Sequence, residues 1–227
     1  SLAPVPYSSS IMLATEALLR FGTPEQKQAY LPGLAEGTAI GTLAVVEEVG
    51  IVDVHAHKTS FADGGLSGNK TVVADGLAAD FVIVAATAAD GIPALYLADL
   101  TGPTVTRTPR ETIDPSRGHA ALRFEKHPAA VLPGTDAAAL TTLFDRAAVM
   151  MAFEQIGIAA TALEMATAFA KTRYAFGRPV GSFQGIKHKL VDVYVALELA
   201  RSNAYFAAWA LAHDARDRLG LRSISQP

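Results

Sequence analysis

A series of short apolar segments, each closed by turn residues, occupies residues 40–133 and constrains the fold most strongly. The candidate strands are Ile40–Val46, Val52–Thr59, Thr71–Val73, Phe81–Ala86, Ala94–Ala98, Val105–Thr108 and Ala120–Phe124. Turn sequences such as Ala62-Asp63-Gly64-Gly65 separate them. Because no helical pattern lies between the strands, they favour an antiparallel sandwich or barrel over a Rossmann sheet. The sequence has no Gly-x-Gly-x-x-Gly motif, so no nicotinamide site is expected.

Helical patterns flank this β region on both sides. Residues 9–36 have apolar residues at helical spacing, with a break at Gly22. A new helix is predicted there, with Thr23 as its N-cap, Pro24 as its first residue and Gln26 able to close a capping box. After residue 135, two long helical stretches are predicted: 136–172, and a second one that Ser182 caps and that runs to about residue 218. A short Gly/Pro loop joins them, which predicts antiparallel neighbours.

Composition excludes several classes of protein. Half of the residues are hydrophobic and 18% are charged, which is typical of a well-packed globular protein. A net charge of −3 gives no sign of a nucleic-acid or membrane partner. The absence of cysteine excludes disulfides, thiolate metal sites and cysteine nucleophiles. We find no transmembrane span or signal-peptide pattern, so a soluble, cytoplasmic protein is expected.

Two motifs give the chain a family resemblance. Residues 173–184, RYAFGRPVGSFQ, resemble the Arg-x-x-Phe-Gly-(Arg/Lys)-Pro-(Ile/Val)-x-x-(Phe/His)-Gln signature of the acyl-CoA dehydrogenases. Residues 21–37, FGTPEQKQAYLPGLAEG, resemble a second motif of that family. The order of helix, β domain and helix pair is also similar, and the resemblance covers almost the whole chain.

The resemblance implies an α+β fold with three parts. These are 1–38, the end of an N-terminal helical domain; 39–133, the middle β domain; and 134–227, the first half of a C-terminal up-down helical bundle. The chain is expected to be incomplete at both ends. Because two helices alone cannot bury their alanine-rich faces, further helices or other subunits are expected to cover them.

The resemblance also implies a reaction, a cofactor and partners. The reaction is FAD-dependent α,β-dehydrogenation of an acyl-CoA thioester in fatty acid or lipid metabolism. A carboxylate removes the α-proton, and flavin N5 receives the β-hydride. An electron-transfer flavoprotein is the expected electron acceptor, and the protein is expected to be a homo- or hetero-oligomer, either a dimer or a tetramer.

The loop motif carries the implied cofactor contacts. Arg173 and Gln184 would contact the diphosphate or adenosine part of FAD, and Phe176 would pack against the cofactor, in a neighbouring subunit. A cation beside a helix N-terminus suits a pyrophosphate group. From the residues alone, the alternative is a simple helix break in which Arg173 is solvated or caps the preceding helix.

Two flavin-contact motifs of the family are altered here. Residues 46–53 stand in place of a Thr-Glu-Pro-Gly-x-Gly-Ser-Asp loop and retain Glu47, but not the threonine, proline or serine. Val72-Val73-Ala74 replaces Trp-Ile-Thr after a recognisable Gly68-Asn69-Lys70. Val46, Val72 and Ala74 are therefore expected to meet the isoalloxazine through backbone groups and apolar contact. The pattern resembles a divergent actinobacterial branch, with members that act on sterol side chains and members that pair two different chains. The alternative is a non-catalytic homologous subunit that completes the flavin site of a partner chain.

The catalytic base is not identified by the sequence. In most members it lies in a segment beyond residue 227, and in a minority at a position that corresponds to about Ala147 here. Glu154, in an apolar stretch, is a candidate base; a structural ion pair is the alternative. Asp145 and Arg146 match positions that face acyl-CoA, or they form a helix-surface pair. His55 and His57, predicted on one strand face, lack a third ligand, so no metal site is expected.

Overall fold

A computed structural model describes residues 5–48, 50, 52–114 and 116–213. Its contacts divide the chain into two compact units, Leu2–Phe144 and Asp145–Pro227. The second predicted long helix was expected to reach residue 218, and its last residues lie outside the described range. The boundaries at residues 38 and 133 remain a prediction.

The first unit opens with three helical segments. Ser8–Thr15 forms a π-helical segment that continues as α1, Glu16–Phe21, and α2 covers Pro24–Glu36. The Gln26 backbone N–H donates to Thr23 Oγ1 at 3.2 Å, and the Thr23 N–H donates to Gln26 Oε1 at 2.9 Å. This confirms the predicted capping box. Pro32 lies inside α2, and Gly37 ends the helix at φ +71°.

An eight-stranded sheet follows. Its strands are β1 Gly41–Ala44, β2 Ser60–Ala62, β3 Gly65–Ala74, β4 Phe81–Ala88, β5 Pro93–Asp99, β6 Val105–Arg110, β7 His119–Pro128 and β8 Ala130–Val131. The order is β6-β7-β3-β2-β4-β5-β8, and β1 pairs with β4. The expected α+β class is confirmed. Most pairs are antiparallel, but β1 and β2 both run parallel to β4, which the sequence did not predict.

The strand β4 lies at the centre of the unit and is buried on both faces. Phe81 and Ile83 point into one core, together with residues from α1, α2 and the start of the third helix: Leu18, Leu34, Leu140 and Leu143. Val82 and Val84 point into a second core with β3, β5 and β7: Leu66, Val73, Tyr96, Leu122 and Phe124. Each fully buried side chain of this size stabilises the fold by roughly 1.5–3 kcal/mol. Burial on both faces explains why Phe81–Ala86 is continuously apolar instead of alternating.

One edge of the sheet is polar. β6 pairs only with β7 among the described strands, and five of its six residues are exposed. It carries Arg107, Pro109 and Arg110, and the Arg107 guanidinium donates to the backbone carbonyls of Leu77 and Ala79 at 3.0 and 2.9 Å. The charged residues and the proline leave a poor template for a further strand.

The predicted strand Val52–Thr59 is wrong, because the described residues of this segment form no strand. Asp53 Oδ1 accepts from the backbone N–H groups of His55 and Ala56 at 2.8 and 3.2 Å. Such a local side-chain bond competes with sheet pairing. His55 and His57 therefore do not share a strand face.

The second unit is a helical hairpin. The helix α3 covers Ala137–Thr172 and begins in the first unit, where Asp136 Oδ1 accepts from the Ala139 N–H at 2.8 Å. Two short strands follow, β9 Tyr174–Ala175 and β10 Arg178–Pro179, then a 3-10 turn Val180–Ser182 and α4 Gln184–Ala212. The prediction that Ser182 caps this helix is wrong. Its Oγ donates to the Pro179 carbonyl at 2.7 Å, and Phe183 is the N-cap residue.

Large apolar side chains remain exposed on both long helices of this unit. They include Ile158, Met165, Phe169, Ile186, Val191, Tyr194, Leu199 and Tyr205. Among the described residues, α3 is the one helix whose length and composition would allow it to cross a membrane. The expectation that the chain has no transmembrane span remains a prediction. A bundle helix has the same properties, and its apolar faces are covered by other helices.

Candidate functional site

The three residues predicted to face a flavin ring lie on neighbouring segments of the first unit. Val46 follows β1, and its carbonyl accepts from the Thr71 N–H of β3 at 2.8 Å. Further along the same two segments, Thr42 Oγ1 donates to the Ala74 carbonyl at 2.6 Å. Val46, Val72 and Ala74 are all half-buried. The structure thus brings the predicted residues together, and their contact with a flavin remains a prediction.

A β-bulge shapes this part of β3. Lys70 pairs with Leu122 of β7, but Val73 pairs with Ala120, so Thr71 and Val72 together oppose one residue. The bulge changes the side-chain alternation, and Lys70 and Val73 are both buried although three positions separate them. Bulges commonly redirect side chains beside functional sites. Here the bulge lies at Val72, inside the predicted flavin-facing segment.

A buried ion pair holds the turn after β1, and the sequence analysis did not identify it. The Lys70 Nζ atom lies 2.7 Å from Glu47 Oε1, and the side-chain exposures are 0% and 12%. The Glu47 carboxylate also accepts from the N–H groups of Lys58 and Thr59 at 2.6 and 2.8 Å. No local pattern signals it, because Lys70 stands between the polar residues Asn69 and Thr71, as a solvated lysine would.

The pair is charged at neutral pH. Burial would raise the pKa of Glu47, but hydrogen bonds from Lys70, Thr59 and Lys58 outweigh it and lower the pKa to about 2. Burial lowers the pKa of Lys70 to about 8, against the opposing attraction of Glu47. Since neutral pH lies between these two values, Glu47 is an anion and Lys70 a cation.

His57 lies beside the pair as a neutral side chain. Burial, followed by the positive charge of Lys70, lowers the pKa of His57. Its Nε2 atom is buried and has no hydrogen-bond partner in the described part of the chain. Its backbone is fixed by Thr87, whose hydroxyl donates to the His57 carbonyl at 2.8 Å. Within residues 5–48, 50, 52–114 and 116–213, no group of three His, Cys, Asp or Glu residues could hold a metal ion.

In the second unit, Phe176 lies at the tip of a tight β-hairpin. The hairpin pairs Ala175 with Arg178, and both central residues have positive φ, +52° for Phe176 and +78° for Gly177. Two positive φ values are typical of a type I′ turn, which favours Asn-Gly rather than Phe-Gly. The Phe176 side chain is 96% exposed. The turn therefore presents a bulky aromatic ring to the outside at a backbone position that such a residue rarely adopts.

Arg173 and Gln184 lie at the two ends of this hairpin segment. The Arg173 N–H donates to the Phe169 carbonyl at 2.8 Å, which ends α3, and the Arg173 carbonyl accepts from the Val180 N–H at 2.8 Å. Gln184 is the first residue of α4, and no side chain caps that helix. Both side chains are exposed. A cation and an uncapped helix N-terminus on one short segment can bind an anion such as a diphosphate.

The hairpin segment is held by packing as well. A Cβ atom on Gly181 would lie 2.9 Å from the Ala170 carbonyl oxygen, so only glycine allows this approach to α3. The guanidinium of Arg178 lies 4.0 Å from the ring centroid of Phe183, a cation–π contact. An apolar cleft between α3 and α4 lies beside it. Its lining includes Leu163, Thr167, Leu190 and Tyr194 together with Lys171 and Lys187.

The remaining predicted residues lie on α3, away from the hairpin. Asp145 and Arg146 are half-buried and each has an interaction partner, as does the half-buried Glu154. Asp145 and Arg173 are about 40 Å apart along the helix at 1.5 Å per residue. The structure therefore does not bring Asp145 together with the residues of the hairpin, and its predicted acyl-CoA contact remains a prediction.

Comparison with known proteins places the chain in a family. The family model described as "Acyl-CoA dehydrogenase, N-terminal domain" matches residues 1–38, and "Acyl-CoA dehydrogenase, C-terminal domain" matches residues 136–224. Acyl-CoA dehydrogenase FadE27 of Mycobacterium tuberculosis is 36% identical over 232 aligned residues, which cover 100% of this chain. The chain spans 59% of the length of that relative.

Solved structures of this family have the same fold. The Tcur3481-Tcur3483 steroid ACAD, solved as a variant, is 34% identical with a TM-score of 0.80, over 92% of this chain and 57% of that one. The ChsE4-ChsE5 complex from Mycobacterium tuberculosis is 31% identical with a TM-score of 0.79, over 95% and 59%. Because two models of one family together match more than half of this chain, and the fold is shared, the chain belongs to the acyl-CoA dehydrogenase family.

Proposed function

We propose that this chain carries flavin- and substrate-binding parts of an FAD-dependent acyl-CoA dehydrogenase. The hairpin between α3 and α4 is the observation that carries the proposal. It places Arg173 and the uncapped N-terminus of α4 on one segment with the exposed ring of Phe176. A cation, backbone donors and an aromatic surface suit a molecule with a diphosphate and planar rings.

The first unit offers a second surface that fits the cofactor. Val46, Val72 and Ala74 provide half-buried apolar atoms beside backbone groups. The hydroxyl of Thr42 is bonded to the Ala74 carbonyl, and that of Thr71 lies 3.4 Å from the Val46 carbonyl. Because these hydroxyls already donate to backbone carbonyls, we propose that the flavin ring is held mainly by backbone groups and apolar contact.

The proposed reaction removes a proton from the α-carbon of an acyl-CoA thioester and a hydride from its β-carbon, leaving a double bond. Bound FAD would supply the hydride acceptor. A carboxylate has to take the α-proton, and among the described residues we propose Glu154 as the candidate. Asp145 and Arg146 are proposed to contact acyl-CoA, and an electron-transfer flavoprotein is proposed as the electron acceptor.

An absorbance spectrum of the purified full-length protein tests this function. We expect two visible flavin bands that bleach when an acyl-CoA thioester is added without oxygen. The thioester that bleaches them names the substrate class. A protein that contains no flavin, even after incubation with FAD, would contradict the proposal for the chain on its own.

Glu154→Gln tests the base separately, with Glu164→Gln on the same helix as the matched control. If Glu154 removes the α-proton, its replacement should slow flavin reduction by about 100-fold or more with flavin still bound. The exposed Glu164 should be replaceable without effect. An unchanged reduction rate in Glu154→Gln would leave Glu154 with a structural role only.

A second candidate function is a non-catalytic subunit that completes the flavin site of a related chain. The absence of hydroxyl side chains at positions 46, 72 and 74 favours it. The ChsE4-ChsE5 structure is a complex of two different proteins, and it is similar to this chain. Flavin that is retained only after co-expression with a second acyl-CoA dehydrogenase chain would support this candidate, whereas one flavin per chain in the isolated protein would contradict it.

A further inference from the structure

The turn that follows β1 is tied to β3 at three consecutive residues. Lys70 Nζ donates to the Val45 carbonyl at 3.2 Å, and the Thr71 N–H donates to the Val46 carbonyl at 2.8 Å. Lys70 Nζ also donates to the Glu47 carboxylate at 2.7 Å. One ammonium group therefore makes the first and third of these contacts.

Lys70 is also placed where it fixes both sides of the predicted flavin-facing surface. It directly precedes the β-bulge that contains Val72, and its side chain reaches the residues on both sides of Val46. With the Lys70 side chain completely buried, solvent does not replace these bonds if they are lost. The Lys70 side chain thus adds two bonds, one on each side of Val46, to the backbone bond that joins Val46 to Thr71 beside Val72.

A purely structural role would not require a charge at this position. Apolar residues of similar volume often replace a buried ion pair without loss of stability, because removing two charges from water is costly. What they cannot replace is the directed bond from an ammonium to the Val45 carbonyl. The geometry therefore singles out orientation of the turn, rather than stability alone, as what the lysine provides.

We infer that Lys70 is a positioning residue of the flavin site, setting the backbone around Val46 against Val72 so that both meet the isoalloxazine ring. This inference rests on the proposed function, since it requires that flavin binds there. Lys70 acts through Val45, Val46 and Glu47 and need not touch the cofactor.

The test compares variants of the full-length protein. Lys70→Met combined with Glu47→Leu removes both charges together, so that no buried charge is left unpaired. We expect this double variant to fold but to bind FAD about tenfold more weakly, the loss expected for a bond to a charged group. The visible circular dichroism of any flavin that remains bound should also change, which a merely structural role would not cause. Lys58→Met is the matched control, because the Lys58–Glu48 pair lies on the surface, with Lys58 79% exposed, and its loss should change neither reading.

The outcomes separate the inference from the proposed function. A folded double variant with wild-type FAD affinity and an unchanged flavin spectrum would overturn the role of Lys70 while leaving the proposed function intact. A wild-type protein that binds no FAD would overturn both. If the double variant does not fold, Lys70→Arg takes its place. Its planar guanidinium keeps the charge pair but alters the bond to Val45, so the same spectral change is expected, and an unchanged spectrum would contradict the inference.

Discussion

Replacing Phe176 by asparagine should stabilise the protein and weaken flavin binding at the same time. Phe176 adopts φ +52° at the first central position of the hairpin turn, ahead of Gly177 at +78°. A non-glycine residue in a sparsely populated backbone region costs of the order of 1–3 kcal/mol. Asparagine tolerates this region, and Asn-Gly is the preferred pair of a type I′ turn. Most of that cost should therefore be recovered.

The loss of the phenyl ring offsets only part of this gain. Phe176 is 96% exposed, so its removal gives up little buried area. Its edge-on contact with Phe183, with ring centroids 6.3 Å apart, contributes about 0.5–1.5 kcal/mol. A net stabilisation of about 1 kcal/mol remains, which corresponds to a rise in Tm of roughly 2–4 °C for a protein of this size.

Thermal unfolding of the flavin-free protein and FAD titration measure the two effects. Phe176→Ala is the matched control, because it removes the ring without giving the turn a residue suited to its backbone. We expect both variants to bind FAD more weakly and only Phe176→Asn to unfold at a higher temperature. A lower Tm for Phe176→Asn, or an FAD affinity equal to wild type, would refute the argument that strain is retained here for cofactor contact.

Three further predictions concern stability. The pKa of Glu47 falls from 4.5 to about 2 on folding. Its contribution to the free energy of unfolding, at most about 3 kcal/mol and reduced by solvent screening, is therefore present above pH 4.5 and lost as the pH falls towards 2. Glu47→Gln should flatten the acid side of a plot of unfolding free energy against pH. Gly181→Ala should cost about 1–3 kcal/mol in urea unfolding, because its Cβ would meet Ala170, whereas Gly185→Ala, with open space around it, should cost nothing; equal effects would disprove this. Thr23→Ala removes the cap of α2 and should lower the unfolding free energy by about 1 kcal/mol. An unchanged unfolding free energy in urea would contradict a stabilising role of the capping box.

Features of the fold that depend on residues close together in the sequence could be predicted from local patterns. The capping box at Thr23 depends on residues three positions apart, so the sequence contains all of it. The apolar run from Phe81 is long enough to predict a strand, although the burial of both its faces comes from packing by distant segments. The loop motif located Arg173, Phe176 and Gln184, but the strained hairpin that presents Phe176 was not foreseen, because Phe-Gly is not a usual turn pair.

Contacts between residues far apart in the chain could not be predicted from the sequence patterns. The bond between Lys70 and Glu47 joins residues 23 positions apart and depends on the parallel pairing that brings β1 into the sheet. The segment with His55 had the composition of a strand, but the Asp53 carboxylate accepts hydrogen bonds from its backbone N–H groups in place of a neighbouring strand. The positions at which Asp145 and Glu154 would meet a substrate depend on contacts that local periodicity does not encode.

The polar edge strand β6 has a consequence for how the protein behaves when it is misfolded or overproduced. Unprotected sheet edges recruit identical strands from other molecules and seed fibrils. Arginines and a proline block that route at this edge, whereas large apolar side chains are exposed on both α3 and α4 in the described part of the chain. Aggregates of this protein should thus be amorphous, should dissolve in detergent and should not increase thioflavin fluorescence.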